Sequence, residues 1–280
     1  MSSASTKVDL PSYVRQQLDA KTFDLPMLPA VMTEVLSLCQ SDTVDASRLS
    51  LVIHRDPTLA ANVLRVANSV MFAAPMPCGS LQQAVSRLGM QRVSEIALAL
   101  AVRGNVFTAP ECQELLSRLW RHALMAAWFS REIARARRQN VEMAFLCGLL
   151  HDVGKAAILT NILHAPGRVT LTDVSEVLHQ YHVEAGVQLA RTWRLPEMIV
   201  ECIECHHEPA RACYHMQLAM TVCLGDVLAQ FADSASDHAK ADADAIRQHP
   251  SLAGLNMYPD QLEDLLKRAS TARSFADGLA

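Results

Sequence analysis

The sequence is poor in the residues that mark disulfide-stapled, disordered or β-rich proteins. Only 5% of its 280 residues are aromatic, and it has just 10 glycines and 12 prolines, whereas 50% of the residues are hydrophobic. We find no convincing stretch of alternating apolar and polar residues that would indicate a β-strand. This profile is typical of a globular helical protein rich in alanine and leucine.

The chain also lacks an excess of basic residues. Its formal charge is −4, which gives no positive footprint for nucleic acid, so DNA is not an expected partner. No apolar run approaches the roughly 20 residues of a membrane span, and the first residues lack the apolar region of a secretory signal. Its eight cysteines are scattered through helical patterns, as reduced thiols usually are. We therefore expect a cytoplasmic protein without membrane contact.

Two local motifs have a simpler structural explanation. Residues 80–107 are predicted to form a helix, a turn at Gly89 and another helix, which mimics a DNA-binding helix-turn-helix. The second helix, QRVSEIALALAV, is however too apolar to be exposed to DNA. Cys202 and Cys205 form a CxxC that could bind a metal or be redox-active, but no second CxxC accompanies it, so buried packing is favoured.

Apolar residues recur at helical spacing in almost every segment, which predicts an all-α, multi-helix bundle. Predicted helix starts fall at Pro29, Asp45, Asp56 and Ser80. From about residue 110 the pattern changes to long amphipathic helices. The predicted units are an N-terminal helical extension (1–22), a first helical half (23–109), a second helical half (110–232) and C-terminal helices (233–280).

Seven polar residues interrupt apolar helical patterns in the second half. They are His122, His151, Asp152, His182, His206, His207 and Asp226. Imidazole and carboxylate groups converging from separate helices are how helical bundles build metal sites, and this mixture suits Fe, Mn, Zn or Mg. A single histidine is more often a surface or hydrogen-bonded core residue. The adjacent pairs, at 151–152 and 206–207, favour a divalent metal because buried charge is costly.

The order of these residues resembles the H…HD…D pattern of HD-domain phosphohydrolases. In that family the residues corresponding to His122, His151, Asp152 and Asp226 bind a divalent metal. The resemblance also places Lys155 near the substrate phosphate, so Lys155 and Asp152 are the expected catalytic residues.

His182 and the pair His206-His207, followed by Glu208, resemble the additional ligands of the HD-GYP subgroup. Those enzymes use two or three metals to hydrolyse cyclic dinucleotides, which implies a second ion here, bridged by Asp152. Where that subgroup continues with its glycine- and tyrosine-rich signature, this chain reads PARACYHM. Cyclic dinucleotide hydrolysis is therefore not expected.

A closer resemblance is to the HDOD family, the HD-related output domain of bacterial signalling proteins. The motifs that carry it span roughly residues 23–230 and include LPMLPAVMTEVLSL, IHRDPTLAANVLRVANS, SLQQAVSRLGMQRVSEIAL, GLLHDVGK, HVEAGVQLARTWRLP and IVECIECHHEP. The resemblance implies an all-helical fold with an HD-like second half, and a regulatory or output role. Many family members have lost metal ligands, whereas here every position of a mononuclear site is filled.

Two functions remain open at this point. One is a regulatory module that contacts a protein partner in a signalling pathway, with a metal or nucleotide that is structural or sensed. The other is a metal-dependent phosphohydrolase acting on a nucleotide or phosphoester, because a bound divalent ion generates hydroxide near neutral pH and polarises a phosphoryl group.

Overall fold

The protein is built from α-helices. The computed structural model describes residues 9–20, 23, 30–39, 46–69, 72, 76–166, 169–234 and 239–279, and it contains no β-strand within these ranges, which confirms the all-α expectation. The first half contains α1 (Leu10–Ala20), α2 (Ala30–Cys39), α3 (Ala46–His54), α4 (Pro57–Ala67), α5 (Leu81–Leu88) and α6 (Met90–Val106).

The second half is formed by longer helices and is followed by shorter ones. It contains α7 (Gln113–Ala136), α8 (Val141–Leu150), α9 (Val153–Ile162), α10 (Leu171–Thr192), α11 (Glu197–Cys205) and α12 (Met216–Asp233). The chain continues with α13 (Ala239–Ile246), α14 (Pro250–Gly254), α15 (Pro259–Lys267) and α16 (Ala269–Leu279). One cluster of buried apolar side chains extends through both halves and the C-terminal helices.

Helix starts follow from local chemistry. The Asp56 side chain accepts the backbone N–H three residues later at 3.0 Å, and Ser80 does the same at 3.2 Å, as expected of N-caps. Gly89 separates α5 from α6 with a φ of 83°, a left-handed conformation that glycine adopts without steric cost. The predicted starts at Pro29 and Asp45 lie outside the described residues.

One stretch, Val141–Ile162, is long and apolar enough to cross a membrane by composition alone, contrary to the expectation from the sequence. However, 89% of its most apolar window is buried inside the protein. The stretch is also divided into α8 and α9 by a turn at His151 and Asp152. It therefore forms the centre of the helical core.

Helix α7 lies between α8 and α12 at very short range. A Cβ atom added to Gly148 of α8 would lie 2.7 Å from Ser130 Oγ and 2.8 Å from the Cα of Ala127. A Cβ added to Gly225 of α12 would lie 2.3 Å from the same Ser130 Oγ. Real Cβ atoms do not approach so closely, so glycine permits both crossings. These crossings fix the relative positions of α7, α8 and α12, which position His122, His151 and Asp226.

A buried ionic network joins the first half to the C-terminal helices. Arg131 of α7 is 1% exposed, and it donates to Glu95 of α6 and to Glu132, each at 2.9 Å. Arg268, between α15 and α16, contacts the second oxygen of Glu132 at 2.8 Å. Such a network is costly to break because a lone buried charge has neither water nor a partner.

We predict that Arg131→Met lowers the free energy of unfolding by about 2–3 kcal/mol, since Glu95 and Glu132 each lose a charge-assisted hydrogen bond but keep Arg92 and Arg268 as partners. The matched control is Arg118→Met on the same helix. That arginine forms an exposed pair with Glu114, so its loss should change stability by less than about 1 kcal/mol. Urea denaturation measures both, and equal losses would contradict the role assigned to the network.

Candidate metal centre

The two adjacent pairs lie at helix ends. His151 is the C-cap of α8 and Asp152 the N-cap of α9, while His206 is the C-cap of α11 and His207 follows it. The pairs thus interrupt the apolar helical pattern at points where a helix ends. A helix end lets two consecutive side chains reach the same region, which the interior of a helix does not allow.

Asp152 lies at the centre of the cluster. Its Oδ2 is 3.4 Å from His151 Nε2 and accepts a hydrogen bond from Lys155 Nζ. Its Oδ1 is 3.5 Å from His182 Nε2 and 3.7 Å from His206 Nε2. One carboxylate therefore faces imidazoles from α8, α10 and α11 with its two oxygens.

Asp226 of α12 forms a second acidic position. His122 Nε2 of α7 is 2.9 Å from Asp226 Oδ1, and His151 Nε2 is 3.7 Å from the same oxygen. Gln230, one helical turn after Asp226, donates a 3.0 Å hydrogen bond to that oxygen. The sequence analysis missed Gln230, although its i,i+4 spacing from a candidate ligand was a usable signal.

Backbone carbonyls orient the buried imidazoles. In each of three histidines Nδ1 contacts a carbonyl of the preceding helical turn: His151 with Gly148 at 2.7 Å, His182 with Leu178 at 2.8 Å and His206 with Ile203 at 2.8 Å. This contact fixes the ring and turns Nε2 toward the centre of the cluster. Metal-binding histidines are usually held by a hydrogen bond of this kind.

The donor atoms fall into two groups, in each of which they lie within 4.8 Å of one another. One group is His122, His151 and Asp152, and the other is His182, His206 and His207. His207 Nε2 is 2.9 Å from His182 Nε2, and Asp152 faces both groups. The structure thus brings together all seven residues that the sequence singled out, with room for one ion in each group.

Burial controls the charge of the second group. It lowers the pKa of His182 to about 4 and that of His206 to about 3, and it also lowers the pKa of His207. These imidazoles are therefore neutral near pH 7, which is the form that binds metals.

The first group carries charge. Burial opposes a charged His151, but Asp152 and Asp226 outweigh it and raise the pKa of His151 to about 10. Burial likewise opposes ionised carboxylates, yet neighbouring cations hold the pKa of Asp152 and of Asp226 well below the usual range. A metal ion bound here would displace the His151 proton, so its uptake should release acid.

Three buried polar atoms in the cluster have no hydrogen-bond partner among the described residues: His151 Nε2, Asp152 Oδ1 and His206 Nε2. A buried polar atom without a partner costs about 1–3 kcal/mol, and more when it is charged. A cation bound within the cluster would give such atoms a partner. The donor set of imidazole nitrogen and carboxylate oxygen fits a divalent transition metal.

Exposure to solvent differs among the described residues of the cluster. The side chains of His151, Asp152 and His206 are at most 6% exposed, whereas those of His122 and Lys155 are 17% and 24% exposed. His207 is exposed as well. These three side chains are therefore the ones that an approaching ligand can contact most readily.

Close packing of α9 against α10 places His182. A Cβ atom on Gly154 would lie 1.9 Å from the His182 carbonyl oxygen and 2.5 Å from the Gly186 nitrogen. Glycine at this position lets the two helices touch through their backbones. The sequence analysis quoted this glycine within GLLHDVGK without assigning it a role.

Comparison with known proteins gives a family and a fold. The sequence model of the HDOD domain matches residues 25–209, well over half of the chain. A crystal structure described as that of a candidate phosphohydrolase from Shewanella amazonensis SB2B is 26% identical, with a TM-score of 0.71. The superposition covers 95% of this chain and 98% of that one.

The curated relatives are longer proteins. An uncharacterised protein of Treponema pallidum (strain Nichols) is 26% identical over 226 residues, which are 75% of this chain but 43% of that protein. Ribonuclease Y of Mycoplasmoides gallisepticum (strain R(low / passage 15 / clone 2)) is 33% identical over 117 residues, which are 42% of this chain and 18% of that protein. This chain thus matches less than half the length of either relative.

We predict that Gly154→Ala destabilises the protein by about 3 kcal/mol or more, because the new methyl group must push a helix backbone away. Gly104→Ala is the matched control: it also lies in a helix, but a Cβ there meets nothing within 4 Å. That change should be neutral or stabilising by up to about 1 kcal/mol. Thermal and urea unfolding measure both, and a harmless Gly154→Ala would contradict the close contact of α9 with α10.

Proposed function

Because this chain belongs to the HDOD family, we propose that it is a regulatory signalling module organised around a divalent metal centre. The proposed ligands are His122, His151, Asp152 and Asp226 for one ion, and His182, His206 and His207 for a second ion, with Asp152 bridging the two. The output of such a module is contact with another protein of its pathway. We expect the metal state to govern that contact by fixing six helices, α7 to α12, relative to one another.

The observation that carries this proposal is the set of three unsatisfied buried atoms around Asp152. Without a cation, the core would hold two ionised carboxylates. It would also hold two imidazole nitrogens and one carboxylate oxygen that have no hydrogen-bond partner among the described residues. Desolvation makes that arrangement unfavourable by several kcal/mol. One or two divalent ions would satisfy all of these atoms at once.

The donor types narrow the choice of metal. Five of the seven proposed ligands are histidines, and imidazole suits Fe, Mn or Zn better than Mg, which prefers oxygen ligands. Mg is therefore the least favoured of the four metals that the sequence suggests.

Burial favours a regulatory role over an enzymatic one. The central carboxylate is 6% exposed, and His122, Lys155 and His207 are the most exposed side chains among the described residues around it. A centre so enclosed suits an ion that holds helices together. Rapid exchange of a bulky substrate would need a wider opening.

A phosphohydrolase is the second candidate, favoured by the position of Lys155. Its ammonium group bonds Asp152 at the solvent-facing edge of the cluster, where it could meet a phosphate oxygen of an entering phosphoester. His207 lies on the same exposed side and could hold or move a proton. A bound divalent ion would supply a hydroxide near neutral pH and stabilise charge on the phosphoryl group. The partial similarity to ribonuclease Y supports this alternative.

For the metal centre, we predict that Mn, Fe(II) or Zn raises the melting temperature of the protein by about 5–10 °C at 100 times the Kd. Asp152→Asn should abolish this rise, because it removes the charge shared by both groups. Asp56→Asn is the matched control, since asparagine caps a helix as well as aspartate does. A parent protein that purifies with less than a tenth of an equivalent of metal, and gains no stability from added metal, would contradict the proposal.

For the second candidate, we predict measurable hydrolysis of bis(p-nitrophenyl) phosphate or p-nitrophenyl phosphate by the metal-loaded protein. Lys155→Gln should lower kcat/KM about a hundredfold through the lost charge on the phosphate, while metal content stays unchanged. Lys267→Gln, an exposed lysine on α15, is the control and should have no effect. A fully loaded protein without turnover above background would exclude the hydrolase and leave the regulatory function.

A further inference from the structure

An apolar groove opens where α7 begins, α9 ends and α10 begins. Its volume is about 440 Å³, within the range of sites that take small organic ligands. Its walls are aliphatic, with Leu115, Leu159, Ile162, Leu163 and Val174 contributing much of the surface. The described residues that line it include no aromatic side chain.

The groove and the metal centre lie along the same three helices. On each helix a lining residue shares a face with a residue of the centre: Leu115 with His122 on α7, Leu159 with Lys155 on α9, and Val174 with His182 on α10. Residues four, seven or eight positions apart lie on the same side of a helix. At 1.5 Å of rise per residue, these pairs are separated by about 6–12 Å along the helix axes. One ligand could therefore span both places.

The charges around the groove restrict the ligand. The rim far from the centre carries two acidic residues, Glu111 and Glu114. Arg118 is the one basic residue among the described lining residues, and it is paired with Glu114. A polyanion such as RNA would be repelled there. Without an aromatic side chain the groove also offers no platform on which a nucleobase could stack. Lys155 does not line the groove, but it lies one helical turn before Leu159, where its ammonium group is next to the centre.

We propose that the ligand of this protein is a phosphoester with an aliphatic chain, its phosphate at Lys155 and the metal centre and its chain in the groove. The placement of the phosphate rests on the proposed function, because it requires the metal centre. Leu163 and Leu171 are 38% and 85% exposed at the groove, so a chain longer than the groove would still contact apolar surface as it leaves. The regulatory module would sense such a phosphoester, and the phosphohydrolase would cleave it.

The test is a calorimetric titration of the metal-loaded protein with ethyl, butyl, hexyl and octyl phosphate below their micellar concentrations. Affinity should rise about twofold to fourfold per methylene group until the groove is filled. Leu163→Glu should remove this dependence on chain length and leave the affinity for ethyl phosphate unchanged. Leu51→Glu is the control: Leu51 is also exposed, at 64%, but lies on α3, and the dependence should persist.

Metal content is measured first. This separates a protein that binds no metal from one that binds metal but does not bind the aliphatic chain in the groove. A protein that takes up no metal overturns both proposals. If metal binds but affinity does not depend on chain length, or if nucleoside monophosphates bind more tightly than octyl phosphate, the metal centre stands and the groove assignment is wrong. Leu171→Glu provides a second variant at a position too exposed to affect folding, and it should weaken octyl phosphate binding alone.

Discussion

The structure depends on one carboxylate that water cannot reach. Asp152 remains ionised inside a helical core because His151 and Lys155 offset its desolvation. This compensation is incomplete, since one of its oxygens accepts no hydrogen bond from the described residues. The arrangement of the surrounding helices can be understood as the means of holding imidazoles around this carboxylate. A core built for stability alone would have placed an apolar side chain there.

Small residues make this arrangement possible. Because α7 touches α8 and α12 through glycines, and α9 touches α10 in the same way, ligand-bearing helices approach more closely than helices with ordinary side chains do. The histidine rings are then fixed by carbonyls of their own helices. The geometry of the centre is thus set by backbone packing and changes little with side-chain rotamers. Such a centre is insensitive to most surface substitutions but highly sensitive to a single methyl group at a helix crossing.

Much of this could be predicted from the sequence. Helical periodicity indicated the fold class, the caps at Asp56 and Ser80 were readable from residue type, and the seven polar interruptions were identified together. Their convergence could not be derived from spacing, because it depends on how helices far apart in sequence cross. The turn at residues 151–152 was missed since the apolar pattern continues through it. Gln230 and Gly154 were overlooked because an amide and a glycine carry no charge that stands out in an apolar helix.

The region matched by the HDOD family ends at residue 209, yet Asp226 and Gln230 lie beyond it, on α12. Further along, the carbonyl of Leu279 accepts hydrogen bonds from Arg103 and from Trp120 in earlier helices. A recombinant fragment cut at the family limits would therefore lose Asp226, one of the candidate metal ligands, and the contacts that Leu279 makes with earlier helices. A fragment for expression, or for fusion to another protein, should therefore include the chain through α16.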